Sequence, residues 1–206
     1  MSKIEKFNWD ERFSSEEYVY GTDPNAFFKE QLDKLNPGRL LMLGEGEGRN
    51  AVYASKMNWK VDAVDFSDQA RLKALKLAEN GKVKINYTIC NLNDYQPEIN
   101  HYDAIGIIFV HLDKPEVEKI FASAKEALKK AGVIICEVFS KNQLGKTSGG
   151  PKVADLLYST DEIANMFKGL ETISLAESAI ILDEGILHQG EASVIRYVGK
   201  KYLLRL

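Results

Sequence analysis

The sequence predicts an α/β fold, a doubly wound and mostly parallel seven-stranded sheet with an antiparallel C-terminal strand. Three observations carry that expectation. Strand-like and helical stretches alternate along the chain, the order that gives a parallel sheet covered on both faces. The run Ala104-Ile105-Gly106-Ile107-Ile108-Phe109-Val110 is apolar on both faces, as expected of a central parallel strand. A glycine-rich loop joins the first strand directly to the helix behind it.

The elements follow in order. Asp23 and Pro24 open the first clear helix, aspartate as N-cap and proline at the first helical position. That helix runs through Phe27, Phe28 and Leu32 to Leu35, and Pro37-Gly38 ends it. Residues 39–43 form the first strand and residues 49–57 a helix. The second strand, residues 60–65, ends on Asp65; Ser67 caps a helix that reaches Asn80-Gly81, and the third strand is residues 85–90. Residues 91–101 are short for a crossover helix and are expected to hold at most one helical turn. The fourth strand spans residues 102–110, a helix residues 115–130, and the fifth strand residues 133–139, opened by Gly132. Residues 140–151 read as a polar, glycine-rich loop, and Ser159 and Glu162 have the spacing of a capping box. Strands at 172–182 and 192–198 close the chain as an antiparallel pair. The chain thus divides into an N-terminal helical and aromatic lid segment, residues 1–36, and a ligand-binding domain, residues 37–206.

Composition narrows the function classes. The 206 residues suit one domain, and 45 % apolar with 28 % charged residues is an ordinary globular balance. A net charge of −3 without a basic stretch argues against a nucleic-acid partner. There is no signal-peptide h-region and no apolar run long enough to cross a bilayer. Cys90 and Cys136 each sit in an apolar run and read as buried free thiols, so a cytoplasmic location is expected. Two separated cysteines and three scattered histidines suggest no metal site.

The segment Leu43-Gly44-Glu45-Gly46-Glu47-Gly48-Arg49-Asn50 turns a strand into a helix over three alternating glycines. Glycine tolerates positive φ and lets a ligand approach the backbone, while the helix start offers free N–H groups. Such a loop binds a dinucleotide or S-adenosylmethionine. Gly46-x-Gly48-x-x-Ala51, with Asp65 at ribose distance, fits the dinucleotide pattern. Against it, Gly44 and not Gly46 follows the strand. Glu45 and Glu47 would also repel a pyrophosphate by about 1 to 4 kcal/mol per close pair. S-adenosylmethionine is cationic and lacks phosphate, so an acidic loop suits it better; solvated loop charges are the plain alternative.

These residues, followed by Val61-Asp62-Ala63-Val64-Asp65-Phe66-Ser67, resemble class I S-adenosylmethionine-dependent methyltransferases, and most of all the tellurite-resistance and thiopurine methyltransferase type. Asn91-Leu92-Asn93-Asp94-Tyr95, Tyr102-Asp103-Ala104-Ile105 and Gly132-Val133-Ile134-Ile135 continue the likeness. The resemblance implies a Rossmann-like fold and S-adenosylmethionine as cofactor. It places Gly44, Glu45, Gly46, Gly48 and Asn50 at the cofactor's methionine portion, with Arg12 on its carboxylate. Asp65 would accept from the ribose hydroxyls; Phe66, Ser67, Asn91 and Leu92 would border the adenine, and Phe109 the pocket floor. Two positions depart from the pattern. Met42 stands where many members have an acid, with Glu45 as the compensating charge, and Asn91 stands where many have aspartate.

Methyl transfer is carried largely by the cofactor, so a missing catalytic triad does not argue against it. His111, just after the fourth strand, is the candidate base. Glu137, an acid inside an apolar strand, either faces the pocket or forms a structural pair, the second reading being favoured, and His188 reads as an exposed loop residue. Tyr20, Phe139 and Tyr158 are candidate acceptor contacts. The expected function is methylation of a small-molecule acceptor. The alternatives are an NAD(P)-dependent oxidoreductase and a non-catalytic S-adenosylmethionine-binding protein.

Overall fold

The computed structural model describes residues 9–202. They are organised by one seven-stranded sheet in the order β3-β2-β1-β4-β5-β7-β6. β1 (Arg39–Leu43), β2 (Lys60–Asp65), β3 (Asn86–Ile89), β4 (Tyr102–Ile108) and β5 (Leu128–Phe139) are parallel. β7 (Gln189–Lys200) runs antiparallel to β5, and β6 (Glu171–Asp183) pairs antiparallel with β7 at the edge. This is the fold class the sequence predicts.

Side-chain alternation along β1 divides the core between the two faces. Leu41 and Leu43 pack with Val117 and Phe121 of α5 (Lys114–Ala127) and Ile163 of α6 (Thr160–Met166). Leu40 and Met42 pack with Phe28 of α2 (Ala26–Leu32), Ala51 of α3 (Arg49–Lys56) and Ala74 of α4 (Asp68–Asn80). Met42 therefore faces the core. A Cβ on Gly106 of β4 would lie 2.4 Å from its sulfur, so the glycine makes room for the thioether.

Several boundaries differ from the sequence reading, and three have a clear local cause. α2 starts later, with Asn25 rather than Asp23 as N-cap, because the Asn25 side chain accepts from the Phe28 N–H at 2.8 Å. α5 ends at Ala127, since Leu128 is already extended and pairs with Tyr102. β4 stops at Ile108, and Phe109 turns out of it with φ 55°. Residues 91–101 hold no helix, only the turn in which Asp94 and Tyr95 N–H reach the Asn91 carbonyl.

The N-terminal segment packs on α4. Asp10 in α1 (Trp9–Phe13) accepts from the Ser67 hydroxyl at 2.5 Å and from the Gln69 N–H at 3.2 Å. Tyr18 donates to the Lys73 carbonyl at 2.9 Å, and Phe13 and Val19 are buried with Ala70. On its other side the Leu187 N–H reaches the Val19 carbonyl at 3.1 Å. Phe7 and the rest of residues 1–8 lie outside the described residues. The 140–151 loop is tied down: buried Gln143 accepts from the Ser193 N–H and donates to Ser148 and Gly149.

Candidate functional site

Strand order reverses between β1 and β4, and ligands of open α/β sheets bind at such a switch point, beyond the carboxyl ends of the strands. There the glycine loop turns from β1 into α3. Gly44, Gly46 and Gly48 have φ of 64°, 62° and 93°, in the left-handed region that L side chains rarely adopt. A Cβ on Gly48 would stand 2.6 Å from the Ala74 Cβ, so this glycine also lets α3 approach α4. Beside Gly46 the nearest atom is Phe13 Cζ, at 3.5 Å from a built Cβ; the N-terminal segment roofs the loop.

Asp65 ends β2 next to this loop. One carboxylate oxygen accepts from the Gly46 N–H at 3.0 Å and the other from the Ser67 N–H at 3.1 Å. Burial raises its pKa, opposed by these hydrogen bonds. Ser67 itself caps α4 through the Ala70 N–H. Phe66 is exposed beside them. Asn91 is exposed with its side-chain oxygen on the Asn93 N–H, and Leu92 lies 3.8 Å from where a Gly44 Cβ would be. The structure thus gathers Gly44, Gly46, Asp65, Phe66 and Leu92 around one end of the sheet.

Both loop acids are buried, which removes the solvated-charge alternative. Glu47 pairs with Lys73 and accepts from the Tyr20 N–H. Glu45 uses one oxygen to accept from the Ala51 N–H at 2.7 Å, and its other oxygen has no hydrogen-bond partner. Burial pushes its pKa up to about 8. An acid this buried in the loop disfavours a pyrophosphate beside it and suits a cationic ligand better.

Asn50 is occupied by accepting from the Asn25 N–H at 2.9 Å. Asn25 is a hub, since its amide also donates to Glu137 at 2.6 Å and to Glu184 at 3.0 Å. Glu137 is fully buried and ion-paired with Arg196, the structural pairing the sequence suggests. Arg49 donates to Glu184 at 2.8 Å and to the Tyr20 carbonyl at 3.1 Å. Arg12 donates to the Tyr20 hydroxyl at 2.7 Å, on the roof rather than on the loop.

His111 is not presented as a base. Its Nδ1 donates to the Leu156 carbonyl at 2.8 Å, while Nε2 accepts the Phe139 N–H at 3.2 Å, so both nitrogens are committed to backbone. Burial holds its pKa at about 4, and the neutral ring is a structural clamp between β5 and the 140–157 loop. His188 is the other correction: it is 5 % exposed, not a surface loop residue. Its ring lies 4.5 Å from Tyr20, 4.8 Å from Phe109 and 5.5 Å from Phe139, and Nδ1 is 3.4 Å from Glu184. Phe139 and Tyr158 are closed to solvent; Phe139 stacks on Phe109, and Tyr158 packs into the core beneath His111.

Three residues of this end were missed by sequence reasoning. Tyr87 on β3 donates to the Gly46 carbonyl at 2.7 Å, Glu184 ties Arg49 to His188, and Lys73 neutralises Glu47. None carries a local signal for the loop, because Tyr87 acts on Gly46, Lys73 on Glu47 and Glu184 on Arg49, all distant in sequence.

Residues 40–132 match the family described as methyltransferase domain. The N-terminal Xaa-Pro-Lys N-methyltransferase 1 of Ailuropoda melanoleuca is 33 % identical over 113 residues, 53 % of this chain and 51 % of that protein. Phosphoethanolamine N-methyltransferase 2 of Caenorhabditis elegans is 27 % identical over 188 residues, 84 % of this chain and 43 % of that protein. The chain thus spans about half the length of the curated relatives it matches. In fold it is similar to TehB from Haemophilus influenzae, with TM-score 0.72 and 16 % identity over 94 % of this chain and 65 % of that one. The resemblance read from the glycine loop and the Asp65 block is borne out: residues 40–132 match a methyltransferase domain, on a fold shared with TehB. The oxidoreductase reading gives way to it.

Proposed function

We propose that this chain methylates a small-molecule acceptor, with S-adenosylmethionine held at the carboxyl ends of β1 and β2. The observation that carries this reading is the enclosure of the site. Phe13 roofs the glycine loop, and at the end of β4 His188 packs edge-on or tilted against Tyr20, Phe109 and Phe139, with Phe109 stacked on Phe139. A site covered this way by the chain's own residues suits a compact acceptor better than an extended polymer.

Each part has a task in this reading. The glycines admit the methionine portion, and Asp65 accepts from the ribose hydroxyls with the lone pairs left by Gly46 and Ser67. Leu92 and Phe66 flank the adenine, with Asn91 at its edge, and Phe109 forms the floor. Arg12 turns from Tyr20 to the cofactor carboxylate. When bound, the cofactor supplies a methyl group on a positively charged sulfur, ready for in-line displacement. The protein's own work is to position the acceptor and exclude water. Residues 1–36, of which 9–21 are held on α4 and on the 184–188 loop, act as the lid, and residues 37–206 as the domain beneath it. The free thiols Cys90 and Cys136 favour a cytoplasmic setting.

The test is release of S-adenosylhomocysteine from S-adenosylmethionine with a panel of small thiols, hydroxyls and amines, beside a peptide beginning Xaa-Pro-Lys. Turnover with a small molecule and none with the peptide is expected. Turnover with the peptide alone would move the acceptor class to protein N-termini. Cofactor binding without turnover across the panel would favour a non-catalytic role.

A further inference from the structure

His111 commits both ring nitrogens to backbone, whereas His188 commits one. Its Nδ1 lies 3.4 Å from Glu184. Burial opposes the charge on Glu184, but the hydrogen bond from His188 and the Arg49 guanidinium at 2.8 Å outweigh it and hold the pKa at about 2. A carboxylate only accepts hydrogen bonds, so Nδ1 carries the ring proton and Nε2 keeps the lone pair. Nε2 has no hydrogen-bond partner among the described residues. It is also not one of their sealed, unpartnered side-chain atoms, which belong to Glu45, Glu47 and Tyr197, so it retains an opening.

The ring is held from several sides. The Glu184 N–H donates to the His188 carbonyl at 2.9 Å and closes the turn, and the Asn25 amide donates to the other Glu184 oxygen at 3.0 Å. Tyr20 and Phe109 pack on the ring at 4.5 and 4.8 Å. Phe109 turns out of β4 beside the glycine loop, so the lone pair lies at the same end of the sheet. A Cβ on Gly149 would stand 2.6 Å from the ring Cδ2 and 3.1 Å from Nε2, and Gly149 has φ 119°. The glycine lets the 140–151 loop pass close to the ring without covering Nε2. An oriented imidazole with a carboxylate behind one nitrogen and a free lone pair on the other is built to accept a proton.

We infer that His188 is a general base for the acceptor, that Glu184 is its positioning residue, and that the acceptor brings a proton on its nucleophilic atom, an O–H or S–H. This rests on the reading of the site as a methyltransferase site. As the acceptor atom bonds the methyl carbon, the carbon–sulfur bond breaks and sulfur keeps its electron pair. The acceptor's proton passes to Nε2 and then to buffer. Glu184 stabilises the imidazolium formed in between. The 3.4 Å contact to Nδ1 is of the length seen in ligand-free sites, where such bonds tighten on binding.

Nitrogen NMR of the chain labelled at its three histidines tests it, with S-adenosylhomocysteine and with sinefungin, which carries an amine where the transferred methyl would sit. The charged groups facing His188 are Glu184 and Arg49, with Arg12 on Tyr20 and His111 beyond Phe139. They are the same in both complexes. At pH 7.5 the His188 proton is expected on Nδ1, and its pKa should be lower with sinefungin than with S-adenosylhomocysteine, while His101 at the opposite end of β4 does not respond. A proton on Nε2, or equal His188 titrations in the two complexes, would overturn the inference and leave the cofactor reading standing. If neither ligand binds, the cofactor reading itself fails. Kinetics add a second readout. His188→Asn keeps a donor for Glu184, and should slow methylation of benzyl mercaptan, a thiol at pH 7, about a hundredfold or more, but that of 4-nitrothiophenol, already an anion, much less. Equal slowing of both would make His188 a structural residue. The two complexes of the wild-type chain decide the matter even if the variant does not fold.

Discussion

Glu45 and His111 titrate in opposite senses, and the signs can be worked out. Glu45 has a folded value of about 8 against an ordinary 4.5, so the folded chain keeps a proton that the unfolded chain has lost. Its contribution to stability is full below about pH 4.5 and is lost as pH rises towards 8. Glu45→Gln should therefore gain on wild type between pH 5 and pH 8, by up to roughly 4 kcal/mol, read from urea midpoints at the two values. His111 is held at about 4, below its ordinary 6.5, so its contribution is present above 6.5 and lost as pH falls towards 4. His111→Ala strands the Phe139 N–H and the Leu156 carbonyl; it should cost about 2 to 4 kcal/mol in the same assay at pH 7.5. Binding of S-adenosylhomocysteine should survive. Loss of turnover with full stability would restore His111 as the base. At this scale the sequence was informative for Asp65, which a strand-end position and the glycine loop mark out together. It misled for the histidines, because position along a strand does not reveal what a ring nitrogen bonds. His188 owes its burial to Tyr20, Phe109 and Phe139, which come from distant elements.

At the scale of elements, two helix starts position the site. α3 begins at a glycine because only a residue without Cβ lets it lie on Ala74. Gly48→Ala combines a 2.6 Å clash with φ 93°, and should destabilise by about 2 kcal/mol or more in chemical denaturation. α4 begins at Ser67, whose hydroxyl donates to Asp10 of the N-terminal segment while accepting from Ala70. Asp10→Ala should loosen the lid, with faster proteolysis within residues 14–21 and faster dissociation of S-adenosylhomocysteine in stopped-flow experiments. Unchanged dissociation would mean that residues 9–21 only pack on α4. The elements were largely legible in the sequence, for alternating apolar runs and the 159–162 capping box are local signals, and both capping-box hydrogen bonds form. The start of α2 was not, because Asn25 is selected as cap by its bonds to Asn50 and Glu137, 25 and 112 residues away.

At the scale of the molecule, strand order is what makes separate motifs into one site. The reversal between β1 and β4 brings the glycine loop, the end of β2 and the turn at Phe109 to the same edge of the sheet. The parallel order was legible from alternation of elements, and the antiparallel closure from the short 184–188 connection. The buried polar network of Asn25, Glu137, Glu184, Arg49 and Arg196 was not, since it is assembled from four distant stretches of chain. No helix among the described residues is long and apolar enough to cross a membrane. The most direct test of the cofactor site is titration of the chain with S-adenosylhomocysteine beside NAD and NADP, repeated on Asp65→Ala after its fold is checked by circular dichroism. Saturable binding of S-adenosylhomocysteine alone, at least tenfold weaker in the variant for the loss of charge-assisted ribose hydrogen bonds worth about 1.5 to 3 kcal/mol, is the predicted result. Binding of a dinucleotide without S-adenosylhomocysteine would contradict it.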